Sequence, residues 1–372
     1  MKTKHGAARE SIVSLIKLLV LLYLFFLSIQ LIQGSFKMFG KDFAQGLVQV
    51  TSNPLVGLCI GILVTSIIQS SSTTTSILVG LVASGAMTIR GAIPIVMGAN
   101  IGTTVTCAIV ALAHVTRGKE FERAYSAASV HDLFNLLSVL ILLPLEVSTH
   151  VIERCCIWMT DLFVGIGGFK TVSPVKMVVK PAAHFIRTAV ESVLPEGSAW
   201  AAVALLVIAV LLLALALKYL SGTLKAVITG RVEKLVNDYL FSRPYRALLA
   251  GVVVTAAVQS SSITTSLVVP LIAGGIFTLE KVFPFMIGSN IGTTVTAILA
   301  SMVTGSPEAI SVALGHLLFN CGGTAIWYPL RKIPITLAKK LAWFAAHYKA
   351  LALIYILILF YAIPLLIVFL LK

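Results

Sequence analysis

The sequence matches itself without a gap when it is shifted by 190 residues. Over residues 69–106 and 259–296, 21 of 38 positions are identical. The matched parts are QSSSTTTS against QSSSITTS, and NIGTTVT in both copies. A further pair, HDLFN at 131–135 and HLLFN at 316–320, matches at a shift of 185 residues. Two copies of one large unit must therefore adopt the same local fold, which constrains the chain more than any other feature.

Both copies are too apolar for a soluble protein. Hydrophobic residues make up 58% of the 372 residues and charged residues 11%, whereas a soluble domain carries roughly a quarter of charged residues. Runs of about 20 apolar residues are long enough to cross a bilayer as helices. They lie at 11–33, 91–113, 124–145, 199–220, 282–303, 311–330 and 350–371. The sequence thus predicts an all-α polytopic membrane protein.

The net charge of +14 comes largely from basic segments beside the apolar runs, at 114–123, 222–246 and 331–349. Lys and Arg near membrane spans stay on the cytoplasmic side. Seven crossings from a cytoplasmic N-terminus place all three segments on that side and the C-terminus outside. The charge is therefore interpreted as a topology signal rather than as a sign of nucleic-acid binding.

Two stretches, 54–86 and 244–275, fit this topology only if they do not cross the membrane. Each has two apolar pieces around a polar break, and neither piece is long enough to span alone. Matching interrupted segments in two halves of a chain indicate a transporter's binding site. We therefore predict a re-entrant helical hairpin in each copy, broken transmembrane helices, and a second copy inverted relative to the first.

The predicted organisation has four parts. They are a first inverted repeat at 1–160, an external linker loop at 161–198, a second inverted repeat at 199–349 and a C-terminal transmembrane helix at 350–372.

The repeated motifs contain no acid, base or charged nucleophile. Their hydroxyl and amide groups can both donate and accept hydrogen bonds. The start of a half-helix presents free N–H groups and the positive end of a dipole to an anion. The same oxygen atoms suit a hard cation such as Na⁺. The glycines of the second motif are expected to let the backbone approach a ligand closely; they are Gly98, Gly102, Gly288 and Gly292.

Asp132 is the only acid well inside any apolar run, and its counterpart in the second copy is Leu317. An acid within a membrane is costly and indicates a function. We predict a cation site in the first copy only, with Asn135, one helical turn on, as a further ligand. An ion pair with His131 or Arg123 is the alternative. For the two repeated histidines, hydrogen bonds between helices are favoured over a proton relay.

The paired QSSS motifs, the paired NIGTT motifs and FERAYSAASVHDLFNLLSVLILLPLE resemble the type II sodium–phosphate cotransporter family, from about Pro54 to Pro364. The resemblance implies a multi-pass symporter of the bacterial inner membrane that moves Na⁺ and inorganic phosphate by alternating access. It implies no cofactor besides co-transported Na⁺ and no transition metal. The acid of HDLFN implies an electrogenic carrier of HPO4²⁻. Whether the protein is a monomer or a dimer is left open.

The residues and the resemblance together predict two ligand sets. The predicted phosphate ligands are Gln69, Ser70, Ser71, Ser72, Gln259, Ser260, Ser261, Ser262, Asn100 and Asn290. The predicted sodium ligands are Thr73, Thr103, Thr104, Asp132, Asn135, Ser289, Thr293 and Thr296. His114 stands where animal members of the family carry a Gln near the extra sodium, so its role stays open.

Three alternatives remain at this point. The first is a carrier for another oxyanion or a small dicarboxylate, which neutral hydroxyl ligands would also accept. The second is an intramembrane hydrolase with a QSSS serine as nucleophile and His131 as base, although no nucleophile elbow is present. The third is a passive channel.

Overall fold

The computed structural model describes residues 4–165, 174–195, 198–235 and 243–371. Within these ranges the chain is helical and contains no strand. Among the described residues, seven helices are long and apolar enough to cross a membrane, at Leu15–Met38, Ile89–Leu112, Lys119–Thr149, Ala199–Tyr219, Leu279–Thr304, Pro307–Trp327 and Lys349–Leu371. They coincide with the seven apolar runs, which confirms the all-α polytopic class. Parts of the basic segment 222–246 and of the predicted linker 161–198 lie outside the described residues.

The first half contains eight helices: α1 Lys4–Met38, α2 Gly40–Val50, α3 Pro54–Ile68, α4 Ser71–Ser84, α5 Ile89–Thr103, α6 Val105–Leu112, α7 Lys119–Thr149 and α8 Val151–Gly165. The described remainder contains α9 Pro174–Val193, α10 Ala199–Leu235, α11 Pro244–Val258, α12 Ser261–Ala273, α13 Leu279–Thr304, α14 Pro307–Trp327, α15 Lys332–His347, α16 Lys349–Leu357 and α17 Ile363–Leu371. A π-helical segment, Ile358–Ala362, joins the last two.

The helix breaks predicted in 54–86 and 244–275 are confirmed, and they lie at equivalent positions. Gln69 and Gln259 end α3 and α11 with φ angles of 56° and 59°, a left-handed conformation that stops a right-handed helix. Ser70 and Ser260 then cap α4 and α12, because their hydroxyls accept the N–H three residues on, at 3.2 and 3.3 Å. Most of each hydroxyl run is therefore helical, and the break takes only two residues.

The helix that carries NIGTT is interrupted in the first half only. There α5 and α6 meet at Thr104, whereas α13 continues to Thr304. Tight packing of this helix is common to both halves. A Cβ on Gly98 or Gly288 would lie 2.0 or 2.1 Å from a backbone carbonyl of α3 or α11, and Gly102 and Gly292 are similarly close. The expectation that these glycines approach a ligand is corrected: they let two helix backbones touch.

The two halves contact each other reciprocally. In the first half α4 packs on α13 and α14, and in the second half α12 packs on α6 and α7. Likewise α7 packs on α15, while α14 packs on α8, and the equivalent helices α1 and α10 lie side by side. This interleaving brings both helix breaks to the boundary between the halves.

The described part of the predicted linker loop is largely helical. It contains α9, Pro174–Val193, which packs on α1 and α10. Two prolines in this helix, Pro174 and Pro181, and its mixed polarity gave no helix signal in the sequence. Its place between two repeats remains a prediction.

Candidate functional site

The two helix breaks line a single cavity of about 490 Å³. Three lining residues come from the first octet, QSSSTTTS at 69–76, and five from the second, QSSSITTS at 259–266: Gln69, Ser70, Thr73, Gln259, Ser260, Ser262, Ile263 and Ser266. Because Ser70 and Ser260 are the N-caps of α4 and α12, both helices begin at this cavity with the positive ends of their dipoles. Such helix starts suit an oxyanion.

The second break is closed by hydrogen bonds from both halves. Gln259 is only 7% exposed. Its side-chain Oε1 accepts a hydrogen bond from the Thr296 hydroxyl at 2.7 Å, and its backbone carbonyl accepts one from the Ser72 hydroxyl at 3.1 Å. Three predicted ligands are thus joined in one network across the boundary between the halves.

The first break has the same backbone but an open environment. Gln69 is exposed, in contrast to Gln259. Thr106 is the repeat counterpart of Thr296 and lines the cavity, and its buried hydroxyl has no hydrogen-bond partner. The bond that closes the second break therefore has no equivalent at the first.

Asn100 and Asn290 lie in a separate polar cluster and are not among the cavity-lining residues. His131 Nε2 is 2.8 Å from Asn290 Oδ1, and His316 Nε2 is 3.4 Å from Asn100 Oδ1. Each contact joins one half to the other, which confirms the interpretation that the histidines bond between helices. Asn135 belongs to the same cluster, because its Nδ2 donates to the Asn100 carbonyl at 3.2 Å.

This cluster is also asymmetric. Asn290 Nδ2 donates to Asn135 Oδ1 at 2.8 Å, but the equivalent group of Asn100 donates to the Val96 carbonyl at 2.9 Å. The oxygen that would have been its partner, Asn320 Oδ1, is buried without a hydrogen bond. The equivalent amides are therefore bonded differently, and the unpaired oxygen belongs to the second half.

Asp132 is 1% exposed, and its Oδ1 has no hydrogen-bond partner. Among the described residues it forms no ion pair, so the alternative of a pair with His131 or Arg123 is absent there. The Thr104 hydroxyl, at the interruption between α5 and α6, is its side-chain neighbour. A buried carboxylate oxygen without a partner is costly.

The other predicted ligands do not line the cavity. Thr103 and Thr293 donate to carbonyls four residues back, at 2.8 and 2.9 Å, as membrane-helix threonines commonly do. Ser71 and Ser261 are buried in the first turns of α4 and α12, outside the cavity lining. The hydroxyl of Ser289 is buried without a partner.

His114 lies outside both the cavity lining and the polar cluster of Asn100 and Asn290, in the turn after α6. Its Nδ1 is 3.7 Å from a carboxylate oxygen of Glu120.

Three polar residues of the cavity lining were missed by the sequence analysis: Thr106, Ser266 and Lys218. The repeat alignment could have found the first two, because their counterparts are Thr296 and Ser76. Lys218 gave no such signal, since its counterpart in the first copy is uncharged Ser28.

The family model described as Na⁺/Pi-cotransporter matches residues 24–171 and 211–366. These ranges include both helix breaks and the polar cluster of Asn100 and Asn290. The chain belongs to the Na⁺/Pi-cotransporter family. This membership confirms the resemblance that the paired motifs indicate.

Relatives with functional names are similar to nearly the whole chain. "Sodium-dependent phosphate transport protein 2B" of Homo sapiens is 34% identical over 96% of this chain and 65% of its own length. "Sodium-dependent phosphate transport protein 2A" of Rattus norvegicus is 34% identical over 92% of the chain and 65% of its own length. The chain thus spans a little under two thirds of the length of these relatives. No solved structure matches it.

Proposed function

We propose that the chain is a secondary active symporter that couples Na⁺ entry to the uptake of inorganic phosphate. The family and the printed names of its relatives support this function. The observation that carries it is the cavity between the two breaks, where two helix N-termini and hydroxyls from both halves meet. Neither octet lines this cavity alone, so one anion would be shared by both.

In this proposal, the phosphate contacts the octet residues that line the cavity, while Ser72 and Thr296 hold Gln259 in place. The remaining predicted phosphate ligands would support the site from outside the lining or bind after a conformational change. Asp132 would bind a sodium ion together with Thr104, and the neighbouring Asn135 would complete the site. The octets contain no fixed cation, so bound Na⁺ would offset much of the anion's charge.

Alternating access would follow from two inverted repeats that rock around this site. The reciprocal packing of α4 and α12 on the opposite halves supports such repeats. Under this proposal α3–α4 and α11–α12 are re-entrant hairpins that enter from opposite sides. The N-terminus would then be cytoplasmic and the C-terminus external. Asp132, which has no acidic counterpart, supports an additional Na⁺ and hence electrogenic transport of HPO4²⁻.

A hydrolase is less well supported. His131, the proposed base, contacts Asn290 at 2.8 Å and does not line the cavity with the serines. A general base must lie within hydrogen-bond reach of the group it activates.

The test is uptake of radiolabelled phosphate by proteoliposomes that contain the purified chain. We expect accumulation with an inward sodium gradient, none with choline in place of sodium, and faster uptake at an inside-negative potential. Equal uptake in choline would reject the coupling, and loss of accumulation against a gradient would indicate a channel. Competition by sulfate, arsenate and succinate would identify a carrier of another oxyanion or a dicarboxylate.

A further inference from the structure

Among the described residues that line the cavity, Lys218 is the only one with a charged side chain. It belongs to α10, which contributes to neither octet, and it is the last residue but one of the candidate span Ala199–Tyr219. The side chain is exposed and forms no ion pair with a carboxylate of the described residues. Its positive charge is therefore not neutralised by a protein partner in this part of the chain.

The lining around Lys218 also contains unpaired polar groups. The hydroxyl oxygens of Thr106 and Ser266 are buried and have no hydrogen-bond partner, and both residues line the same cavity. Buried hydroxyls are normally satisfied by protein, water or a ligand. These two residues come from different halves, so unsatisfied hydroxyls lie in the walls of the cavity on both sides of the boundary between the halves.

We propose that Lys218 attracts the anion into this cavity and raises its affinity. This inference rests on the proposed function, because it assigns the charge to the same phosphate site. A lysine can lay its aliphatic stem along an apolar helix and place its ammonium group in a polar region. A cavity with one sign of charge between low-dielectric walls concentrates the oppositely charged ligand.

The alternative is that Lys218 marks only the end of the apolar part of α10, as lysines do at membrane interfaces. The two explanations differ in one measurable respect. An interfacial lysine does not affect phosphate affinity, whereas an anion-attracting lysine affects it in proportion to its charge.

The test is equilibrium binding of radiolabelled inorganic phosphate to the purified full chain in lipid nanodiscs, at saturating NaCl. Lys218→Gln removes the charge and Lys218→Arg retains it. Lys17→Gln is the matched control, because Lys17 is an exposed lysine on the apolar helix α1 that does not line the cavity. We expect K218Q to weaken binding on the order of three- to tenfold, the effect of one partly screened charge on a divalent anion. K218R and K17Q should stay within about twofold of the unsubstituted chain, since both keep the charge at the cavity.

The dependence of phosphate affinity on ionic strength is a second, independent test. Raising the ionic strength with an impermeant organic salt at constant Na⁺ should weaken binding to the unsubstituted chain and change K218Q less. This arm also tests the proposal if K218Q fails to fold, because a phosphate affinity independent of ionic strength rejects the attraction.

Equal affinity of K218Q and the unsubstituted chain would overturn the inference and leave the proposed function intact. An affinity of K218R as low as that of K218Q would also overturn it, because the effect would then come from packing rather than charge. Absence of any phosphate binding to the unsubstituted chain would instead overturn the proposed function, and the inference with it.

Discussion

Gln69 and Gln259 occupy the same position in two copies of one motif, yet their environments differ. Both end a helix with nearly the same left-handed φ angle, and both precede a capping serine. Gln259 is buried and bonded to Thr296, whereas Gln69 is exposed and the Thr106 hydroxyl is unpaired. The QSSS motifs are identical and the octets differ only at Thr73 against Ile263, so the motif by itself does not set this difference.

Identical residues thus have two arrangements in one molecule. The amide cluster is asymmetric too, because Asn290 bonds to Asn135 while Asn320 Oδ1 has no partner. Two arrangements of the same groups are what a carrier with two access states requires. We therefore expect the open and closed arrangements to exchange between the halves during transport.

The largest expected effect concerns the close helix packing at glycines, which the two halves share. A Cβ on Gly61 would lie 2.1 Å from the Ile95 carbonyl, and one on Gly251 would lie 2.0 Å from the Phe285 carbonyl. Gly61→Ala and Gly251→Ala should each prevent recovery of monodisperse protein in size-exclusion chromatography, because two helix backbones must separate. Gly46→Ala is the control, since nothing lies within 4 Å of its added Cβ. Normal yields of either core variant would contradict this packing.

The next prediction distinguishes one phosphate site shared by both breaks from two independent phosphate sites. Gln69→Gly and Gln259→Gly remove the amide groups but permit the left-handed backbone. Each should lower sodium-driven phosphate uptake by about tenfold or more, since losing hydrogen bonds to a charged ligand costs roughly 1.5–3 kcal/mol each. Half of the unsubstituted rate in each variant, with normal affinity, would indicate two separate sites.

A third prediction uses the asymmetry of charge between the halves. Asp132→Asn should abolish the transport current under imposed voltage while measurable phosphate uptake remains, because the additional Na⁺ loses its carboxylate. Asp161→Asn is the matched control, as Asp161 is an exposed acid of α8. A current equal to that of the unsubstituted chain would remove Asp132 from the mechanism.

The smallest expected effect comes from removing the hydroxyl of Thr296 or of Thr106, which occupy equivalent positions at the two breaks. Thr296→Val removes the 2.7 Å bond to Gln259, whereas Thr106→Val removes no bond in this arrangement. One hydrogen bond contributes about 1 kcal/mol. Thr296→Val should therefore shift the equilibrium between the two access states of the carrier roughly fivefold. The measurement is the rate of maleimide labelling of Leu267→Cys, a cavity-lining position, with the native cysteines replaced. Equal shifts from both valine variants would show that the breaks do not differ.

The sequence predicted most of the local structure. Seven apolar runs give seven helices, and a Gln followed by serines within an apolar stretch gives a helix break, because backbone and capping preferences act over a few residues. The same reasoning placed Asn100 and Asn290 with the phosphate ligands, yet their side chains contact the histidines of the opposite halves. Contacts between residues 159 or 216 positions apart depend on helix packing, which local patterns do not encode.

The position of Lys218 at the cavity likewise could not be predicted from local sequence patterns. A lysine at the end of an apolar run ordinarily marks the membrane interface, and only the packing of α10 beside the breaks brings it to the cavity. The helix α9 was missed because prolines and mixed polarity hide its pattern.

The central claim is that the two breaks form one sodium-dependent phosphate site, and the stoichiometry of equilibrium phosphate binding tests it most directly. Saturation binding to the purified chain should give one phosphate per chain in NaCl and none in choline chloride. Two phosphates per chain, or equal binding in choline, would contradict the account.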